Sequence, residues 1–297
     1  MSENKLNKYF KAFRIPEVIM MSGFFLIGGF FAIDTVGINE IYKILALGIL
    51  SVFIVFAVYS FNAYAGIDDD KYNLRLQSLF SVSPKFFISS FFTASFFVIA
   101  ISLFLNPFTI VFSIIILILW TFYSHPKYGL KQKAIYGTLI HFVAQIFHFI
   151  LAWMVFKDIS LNAILLAIYF SIAFSCGHLL HEIIDYNADN SSGFKTTPIK
   201  FGIKTSTYAI TTLLGFNMVY LYLLFYLKIL DYETFLSFFA ASAAHFILII
   251  SSFKNIQENA IKIRKYYRLL YFFAGLIFFL KKINYGWAYF HKFVNNK

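Results

Sequence analysis

Long, uninterrupted apolar runs constrain this sequence more than any other feature. A helix that crosses a bilayer needs roughly 20 apolar residues. Such runs fall at about 17–34, 41–61, 86–105, 107–123, 134–156, 160–180, 206–229, 232–253 and 266–280. They are continuous rather than alternating, which excludes a closed β-barrel, and lipid accepts only helices or closed barrels. The expectation is an all-α, polytopic membrane protein of about nine transmembrane helices, forming one domain over residues 1–297. The first run is long and no small-residue cleavage site follows it, so it reads as a span rather than a removable signal peptide. Composition agrees: 13% of residues are charged, against about 25% in soluble domains. The lone Cys176 excludes an internal disulfide framework and a cysteine-based zinc site.

The connections sort by charge. Eighteen of the 25 cations precede the first span or follow an even-numbered one. The odd-numbered connections hold three, Lys43, Lys157 and Lys228. By the positive-inside rule the eighteen face the cytoplasm, together with the N-terminus. The net charge of +11 is thereby explained by topology, and no nucleic-acid partner is implied.

Acids are scarce, and six of the fourteen fall in two short segments after the second and sixth spans. The first reads Asn62-Ala-Tyr-Ala-Gly-Ile-Asp68-Asp69-Asp70-Lys71-Tyr72-Asn73, the second His178-Leu-Leu-His181-Glu182-Ile-Ile-Asp185-Tyr-Asn-Ala-Asp189. On a helix, at about 100° per residue, Glu182, Asp185 and Asp189 fall within an arc of roughly 60°, with His178 beside them. Carboxylates gathered at a membrane boundary repel one another unless a cation lies between them. An oxygen-rich set of this kind suits Mg²⁺, which takes one or two carboxylates and completes its octahedron with water and substrate phosphates. If the first helix continues past Gly66, then Asn62, Asp69 and Asp70 share a face. Solvated helix ends are the plain alternative for both clusters. The fifth span adds His141, Gln145 and His148, spaced by four and three, as a polar stripe. Intramembrane polar side chains face a cavity or a neighbouring helix. This stripe therefore either orients an acceptor and removes its proton, or bonds between helices.

With these residues in hand the chain resembles the UbiA superfamily of intramembrane prenyltransferases. Asp185-Tyr-Asn-Ala-Asp189, followed by Gly193, Lys195-Thr196 and Gly202, is similar to the family's second acidic motif. Tyr123-Ser124-His-Pro126 through Leu130-Lys131 resembles its Tyr-Ser-x-Pro…Leu-Lys segment, and Arg14-Ile-Pro16 its Arg-x-Pro start to the first helix. The first acidic motif departs from the pattern: Asn62 and Asp70 are kept, but Ala63 and Gly66 stand where two aspartates are usual.

The resemblance implies a helical bundle around a central cavity that opens to the cytoplasmic side. It also implies Mg²⁺-dependent transfer of a prenyl group from a prenyl diphosphate to a lipophilic or aromatic acceptor within membrane lipid. Asn62, Asp69, Asp70, Asp185 and Asp189 would then hold the metal, with Asp70, Asp185, Asp189 and Lys131 central to catalysis. Lys131, Lys195, Arg14, Lys71 and Arg75 would grip phosphate oxygens. Aromatic faces stabilise cations, and Tyr64, Tyr123 and Tyr128 lie beside the motifs. His141, Gln145 and His148 would line the substrate site. The altered first motif leaves two alternatives: a terpene cyclase that ionises the diphosphate without an acceptor, and a non-catalytic lipid- or quinone-binding relative.

Overall fold

A computed structural model describes residues 5–67 and 70–295, without the side chains of 5, 6, 70, 74, 75 and 284–295. Its helices are α1 (Lys5–Ala12), α2 (Ile15–Ala32), α3 (Ile38–Gly66), α4 (Pro84–Leu105), α5 (Pro107–Ser124), α6 (Tyr136–Met154), α7 (Leu161–Ser191), α8 (Thr197–Phe201), α9 (Ile203–Tyr226), α10 (Tyr232–Ser251) and α11 (Ile256–Asn295). Among the described residues eight of these, α2 to α7, α9 and α10, are long and apolar enough to cross a bilayer. The chain is an integral, multi-pass membrane protein.

The ninth expected run, 266–280, forms the middle of α11. It is shorter than a bilayer requires, and basic residues flank it. The helix nevertheless reaches from one face of the bundle to the other. Arg264 meets His181 near one end, while Lys281 bonds Asp231 and Lys282 bonds the Ile33 carbonyl near the other. Long basic side chains on such a helix can carry their charge to the interface while the stem stays in apolar surroundings.

The helix ends follow local chemistry. Asn106 accepts from the Phe108 amide at 3.0 Å and caps α5, with Pro107 at its first position. Ser160 accepts from Ala163 N to start α7, and Asp231 accepts from Thr234 N to start α10. Where helices meet closely, small residues let backbones approach. At Gly28 of α2 a Cβ would collide with the Phe149 carbonyl of α6, and at Gly29 it would lie 2.9 Å from Leu47 and Phe156.

Two extensions position the functional residues. Helix α3 runs on to Gly66, beyond its apolar run, and gives way to 3₁₀ turns at Asp70–Tyr72 and Leu74–Ser81. Helix α7, the most enclosed of the spans, continues to Ser191, so the whole second acidic segment is helical. Next to it, the chain after α7 pairs with the chain after α5: Lys195 N donates to the Gln132 carbonyl at 2.9 Å.

Candidate active site

Helical phase aligns the acids of α7, and the structure gives each a different setting. Glu182 is 5% exposed. Its Oε2 accepts from the Thr197 amide at 3.2 Å, and its Oε1 lies 3.7 Å from His178 Nδ1. Asp185, one turn on, accepts at Oδ1 from Asn73 Nδ2 at 3.2 Å, and its Oδ2 lies 3.4 Å from His181 Nε2. Asp189 is half-buried on the same face. The end of the first acidic segment is thus tied directly to the second motif. Across from α7, Lys131 Nζ stands 3.5 Å from Asn62 Oδ1.

A cavity of about 180 Å³ opens beside these groups. Its mouth carries Arg14, Asn62, His181, Arg264 and Arg268; its wall is apolar and aromatic, with Phe24, Phe25, Trp120, Phe170 and Phe174. His141, Gln145 and His148 of α6 all line it. His148 Nε2 accepts from Trp120 Nε1 at 2.9 Å, and the His141 ring lies 4.0 Å from that of His178. The Tyr123 hydroxyl, also on the cavity, is 3.1 Å from His178 Nε2. Thr138 Oγ1 lies 3.2 Å from Nδ1 of the same ring, so both nitrogens of His178 have hydroxyl neighbours.

Among the described residues the other expected site residues, Arg14 excepted, do not line the cavity. Tyr128 is 58% exposed and packs on His125, because the turn at Pro126 leads it away from the cavity. Lys195 is exposed and contributes its backbone to the loop pairing. Lys71 is exposed over the Tyr72 ring, and Tyr64 lies beside Phe61. Arg14, in the left-handed region at φ 52°, places its guanidinium 4.7 Å over the Tyr59 ring. Asp69 lies outside the described residues, as do the side chains of Asp70 and Arg75. The altered positions of the first motif have distinct surroundings: Ala63 packs among Phe13, Leu79 and Phe87, whereas Asn62 next to it faces the cavity.

Sequence reasoning does not find Asn73, Arg264 or Arg268. Asn73 closes the acid-rich segment but carries no charge, and the two arginines read only as topology signals.

Among the described residues no three His, Cys, Asp or Glu side chains converge to hold a metal by themselves. The donors present are hard oxygens, the carboxylates of Asp185 and Asp189 on one face of α7 and the Asn62 amide oxygen on the cavity. This set fits Mg²⁺, which takes few protein carboxylates and shares its remaining positions with water and phosphate. It does not fit a thiolate- or imidazole-seeking metal.

Solved structures with the same fold include one from work on digeranylgeranylglyceryl phosphate synthase, at 19% identity and TM-score 0.70, covering 94% of this chain and 99% of that one. A UbiA homologue from Archaeoglobus fulgidus bound to GPP and Mg²⁺ aligns at 16% identity and TM-score 0.70, over 90% of this chain and 99% of that one. An apo UbiA homologue from Aeropyrum pernix K1 aligns at 16% and 0.69, over 89% and 98%. No curated protein sequence matched the chain. The UbiA prenyltransferase family matches residues 22–280, a stretch that takes in the second acidic motif and the Tyr123–Lys131 segment. By that match and that fold, the chain belongs to the UbiA prenyltransferase family.

Proposed function

We propose that this protein transfers a prenyl group from a prenyl diphosphate to a lipophilic or aromatic acceptor within the membrane, with Mg²⁺ as cofactor. One observation carries the reading. Asp185 and Asp189 follow one another on a single face of α7, one and two turns beyond His181, which lines a cavity whose wall is aromatic. The Archaeoglobus homologue's complex with GPP and Mg²⁺ supports the choice of donor and ion. The eighteen cations on the motif-bearing side support a cytoplasmic mouth and N-terminus.

Asp185, Asp189 and Asn62 would hold the ion, joined by Asp69 and Asp70 of the first segment. An ion held there would supply charge neutralisation for the leaving diphosphate. Lys131 stands across the mouth to grip phosphate oxygens, a charge worth most where water is excluded. The C–O bond of the donor breaks with its electron pair going to diphosphate. The allylic carbon then bonds to the acceptor, which gives up a proton. Trp120 and Tyr123 present ring faces or edges to the cavity in which that positive carbon develops. The stripe His141–Gln145–His148 runs down the wall and would orient the acceptor, with Tyr123 held by His178 at its upper end.

The test uses purified protein in nanodiscs, labelled prenyl diphosphates of several lengths, and membrane extract as acceptor source. Asp185→Ala should lower prenylated product by about a hundredfold or more; full turnover in that variant would overturn the proposal. A second reading, a cyclase on the same scaffold, draws on Ala63, which packs into an apolar cluster, and on Gly66, which offers no side chain. It requires a cyclic hydrocarbon or alcohol to form without extract. Binding of lipid with no product under either condition would instead indicate a non-catalytic relative.

A further inference from the structure

Three acids share one face of α7, but Glu182 is set apart from the other two. Asp185 and Asp189 are half-buried, whereas Glu182 is buried. Its Oε2 accepts from the Thr197 amide, and among the described residues no hydrogen-bond donor reaches its Oε1. A carboxylate withdrawn from water and left half-paired is costly. Beside the open oxygen stands His178, one helical turn away, with Nδ1 at 3.7 Å. Gly137 of α6 leaves the room for this pair, since a Cβ there would lie 3.4 Å from both Glu182 Oε1 and His178 Cε1.

His178 is itself held from both sides. Its Nε2 faces the Tyr123 hydroxyl at 3.1 Å, and its Nδ1 faces Thr138 Oγ1 at 3.2 Å as well as Glu182. A carboxylate oxygen only accepts, so the arrangement favours the tautomer with its proton on Nδ1. Nε2 is then the acceptor for the Tyr123 O–H. Tyr123 and His178 line the central cavity, and Glu182 lies behind them. Hydroxyl, imidazole and carboxylate therefore stand in order from the cavity inward. That is the order in which a hydroxyl is activated by a base and the base is oriented by a third group. The gap of 3.7 Å between His178 and Glu182 exceeds a hydrogen bond. Such contacts are often long in an unliganded site and tighten when substrate is present.

The cavity's other histidines do not repeat this setting. Among the described residues no carboxylate pairs with His141 or His148, and His148 Nε2 is already committed to the Trp120 N–H. His181 does meet a carboxylate, but that is Asp185, one of the acids proposed to hold the ion. Arg264 Nη1 also lies 2.9 Å from His181 Nδ1 and opposes a second positive charge there.

We infer that Tyr123, His178 and Glu182 form a relay that removes the proton from the acceptor. The inference rests on the reading of the protein as a prenyltransferase and assigns that reaction its base. As the acceptor's reacting atom bonds to the allylic carbon, its bond to hydrogen breaks and leaves the electron pair with the acceptor. The proton passes to the Tyr123 oxygen while the tyrosine's own proton moves to His178 Nε2. Glu182 meets the resulting imidazolium through Nδ1. After product leaves, Nε2 returns the proton through Tyr123 to water entering the cavity. Tyr123 touches the acceptor in this scheme, whereas Glu182 acts through His178 and is a positioning residue.

The test measures product in nanodiscs from labelled geranyl, farnesyl or geranylgeranyl diphosphate with Mg²⁺ and membrane extract. Binding of the same diphosphate with Mg²⁺ is titrated separately, without extract. Glu182→Gln keeps the size of the side chain and an oxygen for the Thr197 amide, and removes only the charge. It should lower kcat about thirtyfold or more, within the range that general-base catalysis supplies. KM for the diphosphate and its binding should stay within about threefold, which also reports a folded protein. Glu182→Asp should restore part of kcat. His178→Gln should lower kcat to a similar degree, and adding Glu182→Gln to it should cost little more, because members of one relay are not additive. Turnover of Glu182→Gln within about twofold of the unsubstituted protein overturns the inference. So does a loss of diphosphate binding as large as the loss of kcat, since Glu182 would then belong to the ion's site. Multiplication of the two single losses in the double variant overturns it too, because it marks two independent effects on structure. If the unsubstituted protein binds a diphosphate yet yields no prenylated product from any of the three, the prenyl-transfer reading falls and the relay falls with it.

Discussion

Asn73 donates its side-chain amide to the Asp185 carboxylate at 3.2 Å, across 112 residues of sequence. This bond fastens the end of the first acidic segment, between the two 3₁₀ turns, to the second motif on α7. It holds one Asp185 oxygen from the segment in which Ala63 and Gly66 supply no carboxylate. A hydrogen bond to a charged group contributes about 1.5–3 kcal/mol, so Asn73→Ala should raise the KM for the prenyl diphosphate roughly tenfold or more. Asn73→Asp puts a like charge against Asp185 and should raise the Mg²⁺ concentration needed for half-maximal turnover unless the ion bridges both. Steady-state kinetics over a Mg²⁺ series reads both effects, and unchanged constants in Asn73→Ala would show that the bond positions nothing.

The frame of the molecule was legible in advance because apolar periodicity and run length are local properties. Each of the nine expected runs coincides with a described helix, with ends displaced by a few residues except where α3, α7 and α11 run on. The arc of Glu182, Asp185 and Asp189 was legible for the same reason, since helical phase needs only spacing. Asn73 was not. It lies in an irregular turn, where no period tells which way a side chain points, and it has no charge to draw attention. Arg264 and Arg268 were counted with the cytoplasmic cations, because loop charge reveals a side of the membrane but not whether a side chain turns inward. That depends on α11 folding back against α2 and α7, a contact between the two ends of the chain. Tyr128 illustrates the converse: adjacency to a motif in sequence placed it beside the site, and a proline turn carried it away.

Tyr123 and His178 offer a second test, on the cavity wall rather than at its mouth. Tyr123→Phe keeps the ring and removes only the hydroxyl that stands 3.1 Å from His178 Nε2. A buried polar atom left without its partner costs about 1–3 kcal/mol, so resistance to denaturant in micelles should fall by that amount. If the phenol also holds the acceptor or takes up its proton, kcat should drop while the KM for the donor stays near its original value. Loss of stability with kcat intact would restrict the pair to a structural role.

The far face of the bundle gives a pH-dependent prediction. Asp231 caps α10 through Thr234 and pairs with Lys281 of α11, which also meets Glu233 at 2.6 Å. Partial burial alone would raise the Asp231 carboxyl, but its bonds from Lys281 and Thr234 outweigh burial and hold it below the ordinary value of 3.8. A carboxyl depressed in the folded state stabilises above its unfolded pKa, and that contribution is lost as pH falls through the folded pKa. Asp231→Asn keeps an oxygen for the cap and removes the charge that Lys281 meets. The variant should therefore melt below the unsubstituted protein at neutral pH, by a margin that is constant down to a pH of about 4 and then closes on further acidification. A melting difference that persists unchanged below the ordinary carboxylate range would mean that the pair with Lys281 is not what ties α10 to α11.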